Sequence, residues 1–476
     1  MRTTRTPALL AALIPIVAGC TVAGNAAEGT IRVVVGYQSK TINTVTAGTL
    51  LRSLGSFESR LAALGRRTGK KYTVVWQDYD TGAPITAQMI AGKIDIGSMG
   101  DYPLLINGSR SQAQGGDAVT EMVSVTGYNL KGALNGVVVA PGSSARTLRD
   151  LKGQAVSASV GSAGHGTLVQ AMRKYGLDPA HDVRIENQQP PVGTSALQSG
   201  SVKALAQFVA WPGLLVQKGQ ARLLYDGGSL DVPTFHGVVV RKSLAGARPD
   251  VLKAFLQAQI DATRYLHTEP VKAAERVARA TGLPPEVVYL YNGAGGVATF
   301  DLTIKAPLRA AFEHDIPFLK SIGVLQKPLD PAKFIDDSYL RQVYGGSYAT
   351  DAAATANPAA ITGTDAACHV PVKDAATAGE IWLNGEEATH PAADPVCLLR
   401  GIRAFQDSGR TVRAAYVPGA ATGTRWFADK MVWVLDPAAA KDRRLIPFTT
   451  PEQARAYLAG HAGAKTVAYA EAVSAA

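Results

Sequence analysis

Small polar side chains and glycines recur where the strand-like segments of this chain end, and most of them are uncharged. Tyr37, Gln38 and Ser39 follow the run Ile31–Val35, and Thr81 and Gly82 come soon after the run Tyr72–Trp76. Gly100 and Asp101 lie just past Ile94–Gly97, and Ser159, Gly161, Ser162 and His165 just past Gln154–Ser157. Gln188 and Gln189 follow Val183–Glu186, and Trp211 follows Ala204–Phe208. In an open parallel sheet, ligands sit outside the carboxyl ends of the strands. Gln38, Gly82, Gly100, Asp101, Gly161, Ser162, His165, Gln189 and Trp211 are therefore the candidate binding residues. Amides, hydroxyls and backbone N–H groups at a helix start can hold a small oxyanion without a lysine or arginine. Gly161–Gly166 opens the helix-like segment Thr167–Tyr175, and is either such a cradle or only a tight strand-to-helix turn. Asp101 would repel an anion and suit an ammonium group, so an anion and a zwitterion both remain open.

Nucleophilic and metal-assisted chemistry find little support. Ser162 has Val160 where a G-x-S-x-G elbow requires glycine. Gly65, Gly69, Lys70 and Lys71 miss the spacing and the last residue of a phosphate loop, and no H-E-x-x-H occurs. His165 reads as a packing or surface histidine before it reads as a base, and Trp211 as core before ligand platform. The chain is read as a binding protein and not as an enzyme.

The elements that must carry these residues alternate. The strand-like runs named above are separated by helical spacing over Leu50–Gly65, Pro84–Ala91, Thr167–Tyr175 and a short segment around Ala196, which argues for parallel βαβ units. Val137–Val139 and Val238–Val240 are β-branched runs that bracket the second block, and are expected to carry the chain between two lobes. Pro249–Ile322 is mainly helical. Residues 346–367 are Ala/Thr/Asp/Pro-rich and read as a flexible linker. Beyond them Trp382, Trp426, Trp433 and two cysteines mark a small α+β domain, with strands Val412–Val417 and Met431–Leu435 and a helix Pro451–Gly460.

Bulk composition fits an exported globular protein. At 46% hydrophobic and 18% charged residues the chain is not disordered. Its net charge of +10, less the two leader arginines Arg2 and Arg5, leaves +8, scattered rather than clustered, which is not a nucleic-acid footprint. Residues 1–19 have a basic start and a short apolar run, the pattern of a secretory signal peptide. Val17-Ala18-Gly19-Cys20 resembles the bacterial lipobox, which implies lipidation at Cys20, a tether over residues 20–29, and an extracytoplasmic protein anchored to the membrane.

Residues 30–345 resemble the solute-binding proteins of nitrate/sulfonate/taurine-type ABC importers. The resemblance rests on Ile31–Gln38, on Gln88–Gly97 (QMIAGKIDIG), on Leu151–Val156 followed by Gly161–His165, and on Gly176–Pro179, Leu197–Ala204 and Trp211-Pro212 in that order. It implies an α/β, periplasmic-binding-protein-like two-lobed fold with hinge strands. Lobe one would be residues 30–130 and 236–345, and lobe two residues 135–232. It also implies capture of a small anionic or zwitterionic solute and delivery to a permease and its ATPase.

Residues 368–473 resemble the copper-handling lipoprotein NosL, on Arg444–Ala454 and His461–Ala464. Cys368-His369-Val370 stands where that family has a cysteine-glycine-methionine segment. The soft donors here are Cys368, Cys397, Met431, His369 and His390, a set that suits copper(I). A disulfide between Cys368 and Cys397 is the competing reading, expected in an exported protein. No cofactor is required for solute capture, and copper(I) belongs to the alternative in which the C-terminal domain is a metallochaperone. A third reading is an exported enzyme of thiamine-pyrimidine synthesis. It would need a reactive His/Cys set, and residues 30–345 contain no cysteine.

Overall fold

The computed structural model describes residues 29–476. The leader, Cys20 and the tether up to residue 28 lie outside the described residues. Two open sheets form two lobes, and a third unit follows. The first lobe holds six strands in the order Thr299–Phe300, Thr120–Asn129, Thr234–Arg241, Ile96–Gly100, Thr30–Tyr37 and Lys71–Asp78. Thr30–Tyr37 runs parallel to both of its neighbours, while Thr234–Arg241 runs antiparallel between Ile96–Gly100 and Thr120–Asn129. Helices cover both faces, which is why Val33-Val34-Val35 reads as an unbroken apolar run rather than an alternation.

The second lobe orders Arg184–Asn187, Ala155–Ala158, Ala204–Phe208, Asn135–Val139 and Arg222–Asp226. Its first three strands are mutually parallel and the last two antiparallel to their neighbours. Val137–Val139 and Val238–Val240 are interior to the two sheets, so they do not themselves cross between lobes. The crossings are the short segments before them, residues 130–134 and 227–233. The two crossings run side by side: a Cβ on Gly227 would clash with the Gly132 carbonyl oxygen.

Several element bounds move. The helical segment over Leu50–Gly65 is two helices, Thr49–Leu54 and Ser56–Thr68, broken where Gly55 takes φ 64°. The third strand is Ile96–Gly100, later than its apolar start suggests, because Asp95 turns back and accepts from the Val34 N–H at 2.9 Å. The helix placed at Thr167–Tyr175 begins at Ala163, so Gly164 and Gly166 lie inside it.

Residues 346–367 are not a free linker. Tyr348–Ala353 is helical, with the Tyr348 hydroxyl donating to Asp337 at 2.6 Å. Gly295 N–H donates to the Ala359 carbonyl at 2.7 Å, Ile361 is buried, and Thr364–Asp365 pairs with Val370–Pro371. Low-complexity composition conceals this anchoring because the partners come from elsewhere in the chain.

The third unit contains a four-stranded sheet, Thr389–Ala392, Gly379–Leu383, Val412–Pro418 and Arg425–Phe427, and a three-stranded sheet, Leu445–Phe448, Val432–Leu435 and Lys465–Val467. Its buried Trp382, Tyr416 and Trp433 belong to one apolar cluster with Leu214 and Val216 of lobe two and with Tyr289 and Tyr291. The C-terminal unit therefore packs as part of the molecule's core.

Candidate functional site

A cavity of about 390 Å³ separates the two lobes. Gln38, Thr81, Gly82, Gly100, Arg110 and His236 line it from the first lobe, and Ser159, Gly161, Ser162, Asn187, Gln189 and Phe208 from the second. Four helices start at this wall. Thr81 is the N-cap of Gly82–Ile90, Gly100 of Asp101–Gln114, Ser162 of Ala163–Lys174 and Gln189 of Pro190–Gln198. The caps at Thr81, Gly100 and Gln189 make no side-chain hydrogen bond to their helices. The four helix starts, two from each lobe, turn the positive ends of their dipoles to the cavity, although Pro190 and Pro191 carry no N–H and the Tyr102 N–H is taken by Asp101. No carboxylate lies among the lining residues, and Arg110 supplies a cation.

Individual donors are held by partners behind them. Ser159 Oγ donates to the Gln188 carbonyl at 2.9 Å and accepts from Gln207 Nε2 at 3.0 Å. Gly161 takes φ 86°, a left-handed turn that starts the chain into its helix. Ser162 Oγ accepts from the His165 N–H at 3.3 Å, and His165 Nδ1 accepts from the Gly161 N–H at 3.4 Å. Burial pushes His165 down to about 4 and His236 down to about 3, so both are neutral near pH 7. Asn43 Nδ2 reaches both the Gly127 carbonyl oxygen, at 3.3 Å, and His236 Nδ1. The carbonyl accepts only, so that nitrogen is a donor, His236 Nδ1 is an acceptor, and the imidazole proton sits on Nε2. Thr81 Oγ1 is buried beside the cavity with no partner among the described residues.

Of the nine candidate residues, Gln38, Gly82, Gly100, Gly161, Ser162 and Gln189 line the cavity. Asp101, His165 and Trp211 do not. The Asp101 carboxylate turns into the protein and accepts from the backbone N–H groups of Tyr102 at 2.8 Å and Phe235 at 3.2 Å. Burial, and then Asp315, raise its carboxyl well above the ordinary range. It is not placed to meet a ligand ammonium. His165 buttresses the Gly161 turn from behind, and Trp211 belongs to the apolar cluster at the start of Trp211–Gln217. Arg110 and His236 were missed. Arg110 is a lone charge inside a helix, and His236 sits mid-strand, so neither has a local motif to announce it.

The five soft donors of the C-terminal unit do not form one site. Cys368 and Cys397 are joined in a disulfide, S–S 2.03 Å, so neither offers a thiolate in this state. Asp365 lies beside them, but its carboxylate accepts from the N–H groups of Ala367, Cys368 and Ala393. His390 Nε2 pairs with Glu386 at 2.6 Å and its ring packs on Phe405. His369 takes φ 55°, outside the cluster of Asp365, Cys368 and Cys397, and Met431 is buried in the apolar core. Soft-metal binding here would first require the disulfide to be reduced.

Residues 83–273 match the family described as NMT1/THI5 like. The chain is 28% identical to the taurine-binding periplasmic protein of Escherichia coli (strain K12), over 53% of this chain and 78% of the relative. Among solved structures it is similar to the alkanesulfonate-binding protein SsuA from Xanthomonas axonopodis pv. citri bound to MOPS, with TM-score 0.53 and 23% identity, covering 64% of this chain and 98% of the other. It is also similar to the periplasmic aliphatic sulphonate binding protein SsuA from Escherichia coli, with TM-score 0.51 and 24% identity, covering 64% and 92%. The two-lobed fold is that of these binding proteins. Among the described residues, no helix is long and apolar enough to cross a membrane.

Proposed function

We propose that this chain is an extracytoplasmic receptor, tethered by lipid at Cys20, that captures a small organic anion of the sulfonate class and delivers it to an ABC import permease. The observation that carries the reading is the convergence of four helix N-termini, two from each lobe, on a cavity without carboxylates. An anionic head seated there is attracted by both lobes at once, so binding favours their closed arrangement. Gln38, Ser162 and Gln189 add amide and hydroxyl donors, and Arg110 adds a full charge. The apolar lining at Ile106, Phe208, Ile322 and Val324 suits a short carbon chain beyond the head. A ligand ammonium finds no carboxylate in the lining, so a simple alkanesulfonate is favoured over an aminosulfonate, and nitrate lacks the carbon chain.

Isothermal titration of the exported chain with ethanesulfonate, taurine, sulfate and nitrate tests this. The expected order places ethanesulfonate first and taurine well behind it. No binding heat and no thermal stabilisation with any of the four would remove the receptor reading.

A further inference from the structure

The two lobes are joined by two short crossings, and in proteins of this architecture such crossings are where a hinge bends. The C-terminal unit is bonded to both sides of them. Asp226 ends the last strand of lobe two and leads directly into the second crossing. Its buried carboxylate accepts three hydroxyls of the C-terminal unit: Thr422 at 2.7 Å, Thr449 at 2.9 Å and Thr424 at 3.0 Å. Lys131, in the first crossing, donates to the Thr422 carbonyl at 3.2 Å. Farther out on lobe two, the Tyr175 hydroxyl donates to Glu452 at 2.8 Å.

The opposite side is held as firmly. Helix Pro285–Asn292 rests on lobe one through Asn292, which donates to the Ile42 carbonyl at 2.8 Å, and its Tyr291 hydroxyl also accepts from the Gly213 N–H of lobe two at 3.1 Å. The Tyr416 hydroxyl donates to the Glu286 carbonyl of this helix at 3.0 Å, and Tyr289 Oη donates to Glu380 at 3.1 Å. The buried Arg425 bonds both Glu380 and the Ala294 carbonyl.

We infer that the C-terminal unit is a brace across the hinge. A rigid body bonded to lobe two at Asp226 and to lobe one at Tyr289 and Glu286 resists rotation of one lobe against the other, because rotation must break contacts at one end. Close-packed contacts of this kind give way discretely rather than bending smoothly. The unit thereby sets how widely the cavity opens and how readily it closes, whichever solute occupies it.

Interlobe distances measured by double electron–electron resonance, without any solute, test the brace separately from the receptor reading. Spin labels go on Lys93→Cys of lobe one and Ser199→Cys of lobe two, both exposed, in the full chain carrying Cys20→Ser. The starting protein is expected to give one narrow distance distribution. Thr422→Val with Thr449→Val, and separately Tyr175→Phe, are expected to broaden and shift it while thermal unfolding stays cooperative. Should the double variant fail to fold, the milder Tyr175→Phe carries the test. A folded variant whose distribution keeps the width and position of the starting protein overturns the brace, and it leaves the sulfonate reading untouched.

Discussion

Arg110 and Asp315 illustrate how differently two charged residues near the cavity behave. Arg110 is exposed at the cavity wall, so Arg110→Ala should leave the fold intact. A charge-assisted hydrogen bond to an anion is worth about 1.5–3 kcal/mol, so the substitution should weaken ethanesulfonate binding by roughly tenfold or more in calorimetry. Asp315 is buried behind the site, and burial pushes its carboxyl up to about 8. Between its ordinary value near 4 and that raised value, the folded chain holds a proton that the unfolded chain releases. Asp315 therefore contributes full stability below about pH 4, and loses it progressively as pH rises towards about 8. Asp315→Asn should flatten this part of the curve, giving a variant with a higher thermal midpoint than the starting protein at pH 8 and little difference at pH 4. A variant that tracks the starting protein at both pH values would show that Asp315 does not titrate in this window.

Helix Ala163–Lys174 joins local sequence to the site at the scale of the element. Ser162 caps it and also lines the cavity, so one hydroxyl serves both stability and binding. Loss of a serine cap costs about 1 kcal/mol. Ser162→Ala should lower the thermal midpoint modestly and weaken anion binding. Ser162→Asp should restore the cap but place a charge against the anion. Recovery of stability without recovery of affinity is the expected pattern, and equal recovery of both would mean that this helix start does not face the ligand. The turn before it needs Gly161 and is braced by a neutral His165, so Gly161 to His165 work as one preformed loop.

At the scale of the molecule, the C-terminal unit meets helix Pro285–Asn292 around a buried ion pair of its own, which also bonds Tyr289 and the Ala294 carbonyl. Arg425 and Glu380 pair at 2.6 Å, both at about 4% exposure, where Tyr289 and Tyr416 also meet. Removing one partner of such a pair strands the other charge at a cost of about 3–5 kcal/mol. Arg425→Met should lower thermal stability by that order and loosen the C-terminal unit, seen as faster amide exchange along Gly379–Leu383. Unchanged exchange there would show that the apolar cluster alone holds the interface. The disulfide closes a 29-residue separation, for which chain entropy suggests about 3–4 kcal/mol. Cys368→Ser with Cys397→Ser should therefore lower the melting temperature, and reducing agent should do the same to the starting protein.

Much of this protein was legible in its sequence. Apolar runs alternating with helical spacing argued for parallel βαβ units, which both sheets contain beside antiparallel strands, and glycines and hydroxyls after those runs marked the strand ends where six of the nine candidate residues meet a cavity. Side-chain direction was not legible. Asp101 follows a lining glycine yet turns inward, because the backbone N–H groups that claim it come from Tyr102 and from Phe235, which is remote in sequence. Arg110 and His236 reach the cavity only because two lobes face each other. The Ala/Thr-rich stretch after residue 346 looked free because its hydrogen-bond partners are spread over earlier parts of the chain. Periodicity and composition are local properties and determine elements. Which side chains meet across a gap, and which surfaces a third unit covers, depends on contacts between residues hundreds of positions apart, and only the tertiary structure decides those.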